Sequence, residues 1–289
     1  VHQGHAPLRG LSEAMREIQA DRLHVRLDSE AVPGELQNLV SSFNFMLGRL
    51  EDSFARLSHF SADIAHELRT PLTNIITQTQ VVLGKSRGLV EYRELHYSNL
   101  EELERLAKMV NDMLWLAQSE HGLLKPVWES LGMAQEVRKL FDFFEALAEE
   151  KHIQLMLEGQ APKIKGDRAM LRRAMSNLLS NAIRHSPEGE SVKVRLDVSD
   201  EGQVLLSVQN TGPEIPAEHL PRIFDRFYRV DPSRQRQSEG AGLGLAIVKS
   251  IVEAHYGSID VSSDYGMTSF SICFPQAAIN WDCEEGALP

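Results

Sequence analysis

His66, Glu67 and Thr70 lie in the run His66-Glu67-Leu68-Arg69-Thr70-Pro71, and their types point to nucleophilic chemistry. A neutral imidazole, with an unperturbed pKa of about 6.5, offers one free ring nitrogen near pH 7. A carboxylate beside it, Glu67, can accept the hydrogen bond of the protonated nitrogen and sharpen the other as the attacking atom. Thr70 is four residues on, so in a helix its hydroxyl shares a face with His66 and can position a water against a group carried on the ring. Pro71 removes a backbone donor and predicts a kink or loosening one turn below the histidine. Other readings compete. HExxH would mark a zinc protease, but Thr70 stands at the last position and a ligand is missing. A solvated histidine, one of 11 in the chain, is the plain alternative, and His66 taken alone favours it.

A second polar set lies further along. Asn177 and Asn181 are one turn apart on a predicted helix whose apolar residues are Leu171, Met175, Leu178, Ala182 and Ile183. Asparagine is a poor mid-helix residue, so the pair asks for a reason. Amide oxygens suit Mg²⁺, a hard cation that keeps waters and phosphate oxygens as its other ligands. Arg184 and His185, near the same helix's end, can meet phosphates. For an isolated pair, solvated or capping asparagines would be the default. Gly240-Ala-Gly242-Leu243-Gly244 precedes another predicted helix. Glycines let backbone approach phosphate closely, and a helix N-terminus favours anions. The spacing is neither the GxGxxG of a dinucleotide fold nor a Walker loop, so the glycines alone are weak evidence.

The surrounding periodicities supply the scaffold. From Leu36 the apolar positions run Leu36, Val40, Phe43, Leu47, Leu50, Phe54, Leu57 and Ile64. This is heptad spacing, the pattern of a coiled-coil seam. It continues through His66 to about Leu83, where Gly84–Gly88 breaks it. A second helix is predicted from Tyr92 to Gln118, with Leu95, Leu103, Leu106, Val110, Leu114 and Ala117 on one side, closed by Gly122 and Pro126. The two form a helical hairpin whose wide apolar face is buried when two copies make a four-helix bundle. The seam extends far upstream of the hairpin, which favours a homodimer over packing on the same chain's C-terminal domain. Before it come a short amphipathic segment, Pro7–Ala20, and a polar linker ending at Gly34. After Pro126, helices are predicted over Leu131–Glu150, Asp167–His185 and Gly242–His255. Strands are predicted over Ile153–Glu158, Ser191–Val198, Val204–Gln209, Ser258–Ser262 and Thr268–Phe274. This mixture indicates an α+β layer domain, followed by a loose tail, Ala277–Pro289.

At 289 residues, the chain has about two domains as its length prior. A net charge of −11 and the lack of a basic, aromatic-studded stretch argue against nucleic acid. Cys273 and Cys283 form neither a disulfide framework nor a CxxC metal site. No run of about 20 apolar residues spans a membrane, and there is no signal peptide.

Phe60-Ser-Ala-Asp-Ile-Ala-His-Glu-Leu-Arg-Thr-Pro-Leu72 resembles the H-box of sensor histidine kinases of two-component systems. Asn177–His185 resembles their N-box, and Val208-Gln-Asn210-Thr-Gly212-Pro-Glu214-Ile215 their G1 box. Phe224-Asp-Arg226-Phe227-Tyr-Arg229 is similar to the F-box, and Gly240–Val248 to the G2 box. The order and spacing of the boxes make the resemblance specific, and it covers about Pro7 to Pro275. It implies that ATP phosphorylates His66, that Glu67 assists, and that Thr70 supports phosphatase activity. It places Mg²⁺–ATP contacts at Asn177, Asn181, Arg184 and His185, with Asn181 as the metal ligand. It adds Asn210 and Gly212 at the adenine, Arg229 and less directly Arg226 at the phosphates, and Gly240, Gly242, Leu243 and Gly244 as the phosphate backbone, with Asp231–Glu239 as an ATP lid. Two positions depart from the pattern. Asn210 stands where the family has an aspartate, so charge assistance to the adenine amino group is lost, and Glu214 replaces a glycine.

The N-terminus resembles a HAMP relay module, with Pro7 in its first helix and Glu35 opening its second. HAMP modules follow a transmembrane helix, so the resemblance implies one before Val1 and a location on the cytoplasmic side of the bacterial inner membrane. The expected architecture is an all-α HAMP module (1–53) and a dimeric helical hairpin (54–122). An α+β ATP-binding sandwich of the GHKL type (127–276) and a flexible tail (277–289) follow. The expected partners are a second copy and a response regulator whose aspartate receives the phosphoryl group. Asn210 together with Phe224–Arg234 is similar to bacterial copper and heavy-metal sensor kinases; His2 and His5 are too few to make a metal site. The competing functions are a GHKL-type ATPase and a phosphatase-only or non-catalytic relay.

Overall fold

The computed structural model describes residues 24–28, 32–120, 122–230 and 241–275. The predicted segment Pro7–Ala20, the stretch Asp231–Glu239 with Gly240, and the tail Ala277–Pro289 lie outside the described residues. The chain divides into two compact units between Tyr92 and Arg93.

The first unit is dominated by α1 (Gly34–Leu83), a single 50-residue helix. Its heptad positions divide by burial: Val40 and Leu47 are buried, while Leu50, Phe54 and Leu57 are 41%, 49% and 58% exposed. Near its start the Asn44 amide reads the backbone of Leu27, accepting from its N–H at 2.9 Å and donating to its carbonyl at 2.8 Å. The helix runs through Pro71 without a break. One missing donor is small against the ladder of so long a helix, so the predicted disruption does not end it.

The second unit contains α2 (Leu89–Glu120) from Arg93 onward and then the α+β sandwich. Five strands order as β2 (Gln154–Gly159), β4 (Ser191–Val198), β5 (Val204–Thr211), β7 (Met267–Phe274) and β6 (Ser258–Asp264). β2 and β4 are parallel, and the other pairs antiparallel. Side chains alternate across a sheet with period two, and the register stacks the inward residues in rows. Val194, Val208 and Phe270 make one row, and Leu196, Leu206 and Ile272 the next. The row at one end is Val192, Asn210, Thr268 and Ser263, so the apolar core gives way there to polar groups.

Helices α3 (Met133–Glu150), α4 (Arg168–His185) and α5 (Gly244–Ala254) form the other layer. α4 buries Leu171, Ala174, Met175, Leu178, Leu179, Ala182 and Ile183. The Asp167 carboxylate caps its start by accepting from Met170 N–H at 2.9 Å, in the manner of an N-cap. Lys151 Nζ donates to the carbonyls of Ile183 and Arg184 at its end. Sequence periodicity missed a small ribbon of β1 (Glu129–Leu131) and β3 (Ile164–Gly166). Leu131, expected in a helix, pairs with Ile164 and both are buried. Three residues are too few for alternation to reveal a strand. Arg168 then forks onto the Glu129 carboxylate at 3.0 and 2.9 Å, tying the ribbon to α4.

His255 joins α4 to α5. It is 1% exposed. Its Nδ1 must donate to the Ile251 carbonyl at 2.7 Å, because that oxygen can only accept. Nε2 then accepts from Asp167 N–H at 2.9 Å. The ring is neutral with both nitrogens used. Burial pulls its pKa down from 6.5, against the opposing effects of the Ile251 carbonyl and the Asp167 carboxylate. The Asp167 carboxyl is itself held low: burial would raise it, but the backbone N–H groups of Met170, Val127 and Ala169 outweigh that. Below about pH 6.5 the unfolded chain takes a proton at His255 that the folded chain resists. The stability from neutral His255 is therefore complete above that pH and is lost as pH falls towards the folded value. Thermal melts between pH 7.5 and 5 should show this loss. His255→Leu should lower the melting temperature at pH 7.5, because Asp167 N–H loses its acceptor at about 1–3 kcal/mol while the Ile251 carbonyl keeps the backbone N–H of residue 255, and should flatten the dependence on pH. An unchanged pH slope in that variant would assign the effect to other groups.

Candidate nucleotide and phosphoacceptor sites

In the second unit, α4, the loop after β5, the Phe224–Arg229 segment and the start of α5 converge. Asn177 and Asn181 are half-buried on α4, beside its apolar stripe. Asn177 Nδ2 is buried and has no hydrogen-bond partner among the described residues. A buried amide hydrogen without a partner is costly, so this atom can take an acceptor that a ligand brings. A Cβ built on Gly244 would lie 3.6 Å from Asn177 Oδ1, which places the first turn of α5 against this asparagine. That turn has no side-chain cap at Leu243, leaving backbone N–H groups for an anion. The arrangement suits a Mg²⁺–nucleotide. Asn181 would offer its amide oxygen to the metal, and the orphan Asn177 donor and the start of α5 would meet phosphate oxygens.

Two glycines bring the backbones together. Gly242 has φ +70°, and a Cβ there would meet Phe227 C, Cα and O at 2.8, 2.9 and 3.1 Å. Phe227 N–H donates to the Gly242 carbonyl at 3.0 Å, and Phe227 itself has φ +59°, an uncommon conformation for a bulky residue. A Cβ on Gly212 would lie 2.6 Å from the His185 carbonyl oxygen, so the loop after β5 abuts the end of α4. That loop is stapled to the β6–β7 turn. Gly212 N–H donates to the Gly266 carbonyl at 2.9 Å, Gly266 N–H to Glu214 Oε1 at 3.0 Å, and Ile215 N–H to Ser263 Oγ at 2.9 Å.

Asn210 is 5% exposed, and its Nδ2 donates to the Thr211 carbonyl at 2.9 Å. Arg184 and Arg229 are half-buried, and His185 is exposed. Arg226 is half-buried, and burial lowers its guanidinium below the usual range. The structure thus sets Gly244 against Asn177, Gly242 against Phe227 and Gly212 against His185, with Asn181, Arg184, Asn210, Arg229 and Leu243 on or next to the same elements. Gly240 lies outside the described residues.

His66, Glu67 and Thr70 are in the first unit, on α1. His66 and Thr70 are both exposed and share a helical face, as their spacing requires. The hydrogen bond expected between His66 and Glu67 is not formed among the described residues. Consecutive side chains diverge by about 100° around a helix, so Glu67 points away from the ring and is half-buried. Sequence reasoning missed the backbone pairing of Phe227 with Gly242 and the His255 bridge, because neither has a local spacing signature.

The family model described as "Histidine kinase-, DNA gyrase B-, and HSP90-like ATPase" matches residues 166–278. The "His Kinase A (phospho-acceptor) domain" matches 56–122, and the HAMP domain 1–52. Sensor histidine kinase CusS of Escherichia coli strain K12 is 56% identical over 275 residues, which is 95% of this chain and 57% of CusS. The chain therefore spans little more than half the length of that relative. The structure of histidine kinase AdeS from Acinetobacter baumannii has a TM-score of 0.60 and 26% identity, covering 74% of this chain and 98% of AdeS. Histidine kinase ThkA, in complex with response regulator protein TrrA, has a TM-score of 0.64 at 22% identity, covering 78% of this chain and 63% of ThkA, a likeness of fold. The chain belongs to the sensor histidine kinases, with HAMP, phosphoacceptor and ATPase domains in that order.

The two glycine contacts set the expected outcome of substitution. Gly242→Ala and Gly212→Ala should each weaken binding of an ATP analogue by about tenfold or more, since each added methyl meets backbone, and strain of this kind is worth about 1–3 kcal/mol. Gly132→Ala, where a Cβ meets nothing within 4 Å, should bind normally. Calorimetric titration of the folded variants decides it.

Proposed function

We propose that the chain is the ATP-dependent kinase portion of a sensor, and that it phosphorylates itself on His66. The observation that carries this reading is the cradle around the orphan Asn177 amide, in a chain whose α1 presents an exposed histidine one turn before a threonine. A ring nitrogen of His66 attacks the γ-phosphorus of ATP. A P–N bond forms as the bond from phosphorus to the bridging oxygen breaks, and ADP leaves with that electron pair. Transfer of this kind depends on position and charge neutralisation. Asn181 holds Mg²⁺, which when bound neutralises charge on the phosphates. Asn177, the first turn of α5 and Arg229 orient the phosphates, with Arg184 and His185 beside them. Asn210 accepts from the adenine amino group through Oδ1, its Nδ2 being engaged with Thr211. Glu67 assists His66 after a rotamer change that brings its carboxylate to the ring.

The phosphoryl group then passes to an aspartate of a response regulator. The likeness to ThkA, solved with such a partner, supports this. Thr70 positions a water for the reverse task, dephosphorylation of that partner. The exposed seam at Leu50, Phe54 and Leu57 supports a homodimer through the 54–122 hairpin. Residues 1–53 relay the signal, 127–276 bind ATP, and 277–289 form a tail. No helix among the described residues is long and apolar enough to cross a membrane. Anchoring in the bacterial inner membrane, with this portion on the cytoplasmic side, rests on the HAMP domain and the likeness to CusS. The signal is copper or another heavy metal, supported by the same likeness and by Asn210 with Phe224–Arg234.

Incubation with γ-labelled ATP and Mg²⁺ tests the reading. Acid-labile, base-stable label should appear on the wild type and be absent from His66→Ala. Asn181→Ala should reduce labelling at least tenfold, with partial recovery at high Mg²⁺. Thr70→Ala should still label but lose dephosphorylation of the partner. Steady ATP turnover without label would indicate a plain ATPase instead, and dephosphorylation of a partner without self-labelling a phosphatase only.

A further inference from the structure

Asn210 and Glu214, the two positions that depart from the family pattern, belong to one path of hydrogen bonds. It begins at the Glu214 carboxylate, whose Oε1 accepts from Gly266 N–H at 3.0 Å. The Gly266 carbonyl accepts in turn from Gly212 N–H at 2.9 Å. Gly212 N–H and the Thr211 carbonyl are the two ends of one peptide unit. That unit is planar and trans, so its N–H and C=O point in opposite directions. Anchoring the N–H on Gly266 therefore aims the Thr211 carbonyl the other way, where it accepts from Asn210 Nδ2 at 2.9 Å.

The surroundings hold each link in place. Asn210 is 5% exposed, so its amide has little water to turn towards. Gly266 has φ +73°, a conformation that glycine adopts without strain. A Cβ on Gly212 would lie 3.5 Å from Asn210 Nδ2, so the backbone there closes over the amide. The Thr211 hydroxyl donates to Glu190 Oε2 at 3.1 Å, and Ile215 N–H to Ser263 Oγ at 2.9 Å. The loop is thus tied on both sides of Glu214.

The consequence lies in what Asn210 leaves for a base. A carboxylate offers only acceptors and repels a base carbonyl in either orientation. An amide has one accepting and one donating end, which exchange by a half-turn of the group. An unrestrained asparagine could therefore serve a base amino group through Oδ1 or a base carbonyl through Nδ2. Here the half-turn would set Oδ1 against the Thr211 carbonyl, acceptor facing acceptor, with a buried bond unmade. The Thr211 carbonyl commits Oδ1 to accept.

We propose that Glu214, acting through Gly266 and the Thr211–Gly212 peptide, holds Asn210 as an acceptor, so that the site takes a purine with an amino group at that position and rejects one with a carbonyl there. The proposal rests on the nucleotide reading above, with Asn210 facing the base. Glu214 is a positioning residue that does not touch the base. Its carboxylate supplies through one peptide plane the selectivity that an aspartate at residue 210 would supply directly by its charge.

The test compares ADP with inosine diphosphate, which carries a carbonyl oxygen where adenine carries its amino group, by calorimetric titration of the whole chain with Mg²⁺. Wild type should bind ADP at least about tenfold more tightly. Glu214→Gly should lower that preference roughly three- to tenfold, chiefly through tighter binding of inosine diphosphate. Glu214→Gln keeps an oxygen for Gly266 N–H and should stay within about twofold of wild type. Asn210→Ala should lower the preference at least as far as Glu214→Gly. Amide hydrogen exchange at Gly212 and Gly266 should quicken in Glu214→Gly and return towards wild type in Glu214→Gln. A Glu214→Gly protein with the wild-type preference, a Glu214→Gln protein that behaves like Glu214→Gly, or undiminished preference in folded Asn210→Ala overturns the proposal. If wild type binds neither diphosphate, the nucleotide reading fails. Exchange then decides the path alone: quickening in Glu214→Gly that Glu214→Gln reverses supports it, and unchanged exchange overturns it.

Discussion

The burial of α4 is the constraint on which the catalytic half depends. Eight of its residues lie in the core between the sheet and the neighbouring helices, and that requirement leaves no freedom in the rotation of the helix about its axis. Everything else on α4 is placed by consequence. Asn177 and Asn181 come to the border of the apolar stripe, Arg173 comes one turn earlier, and the two ends are held by Asp167 and Lys151. The polar residues spend none of the hydrophobic stabilisation. They occupy positions that the core has already oriented, which is how a folded scaffold can hold polar groups ready for a ligand without reorganisation.

The sheet imposes a matching constraint from the other layer. Its inward rows are apolar until the last, where Asn210, Thr268 and Ser263 follow Val192. Buried polar groups at the end of a core must find partners, and here they find one another and the adjoining loop. Ser263 and Thr268 hydroxyls bond at 2.8 Å, and Ser263 receives Ile215 N–H. Asn210 turns its amide hydrogen onto Thr211, a bond an ionised carboxylate could not make, because an oxygen in place of Nδ2 would face a carbonyl with no hydrogen to donate. Asparagine at this position is therefore locally accommodated. Glu214, the other departure, receives Gly266 N–H and so fastens the loop that a glycine would have left freer.

Long-period features were legible in the sequence and contact-borne ones were not. The heptad run forecast α1, and the strand alternation forecast all five strands of the main sheet, because those patterns repeat often enough to outweigh local accidents. Leu131 was misread because its strand is one of two three-residue pieces whose only reason to exist is the pairing with Ile164. The His66–Glu67 hydrogen bond was read from adjacency, although helical geometry separates neighbours and joins residues four apart, as it does for His66 and Thr70. Phe227 at positive φ and His255 between two helices depend on residues 15 and 88 positions away, Gly242 and Asp167. No windowed pattern contains such pairs.

α2 sits where these constraints meet. A helix with a buried stripe, a polar stripe tied to α4 and α5, and an exposed apolar stripe nearly opposite cannot satisfy all three through one chain's contacts, because the last faces solvent. The apolar stripe gains most by acquiring a partner surface, since hydrophobic burial is non-directional and scales with the area covered. The polar stripe gains only from geometry, through one ion pair, one ring contact and one hydroxyl pair that a modest rotation would break. A change in packing on the first side can therefore outweigh the second. The ordering of strengths makes the apolar stripe, rather than the polar one, the side of α2 with most to gain from a partner surface.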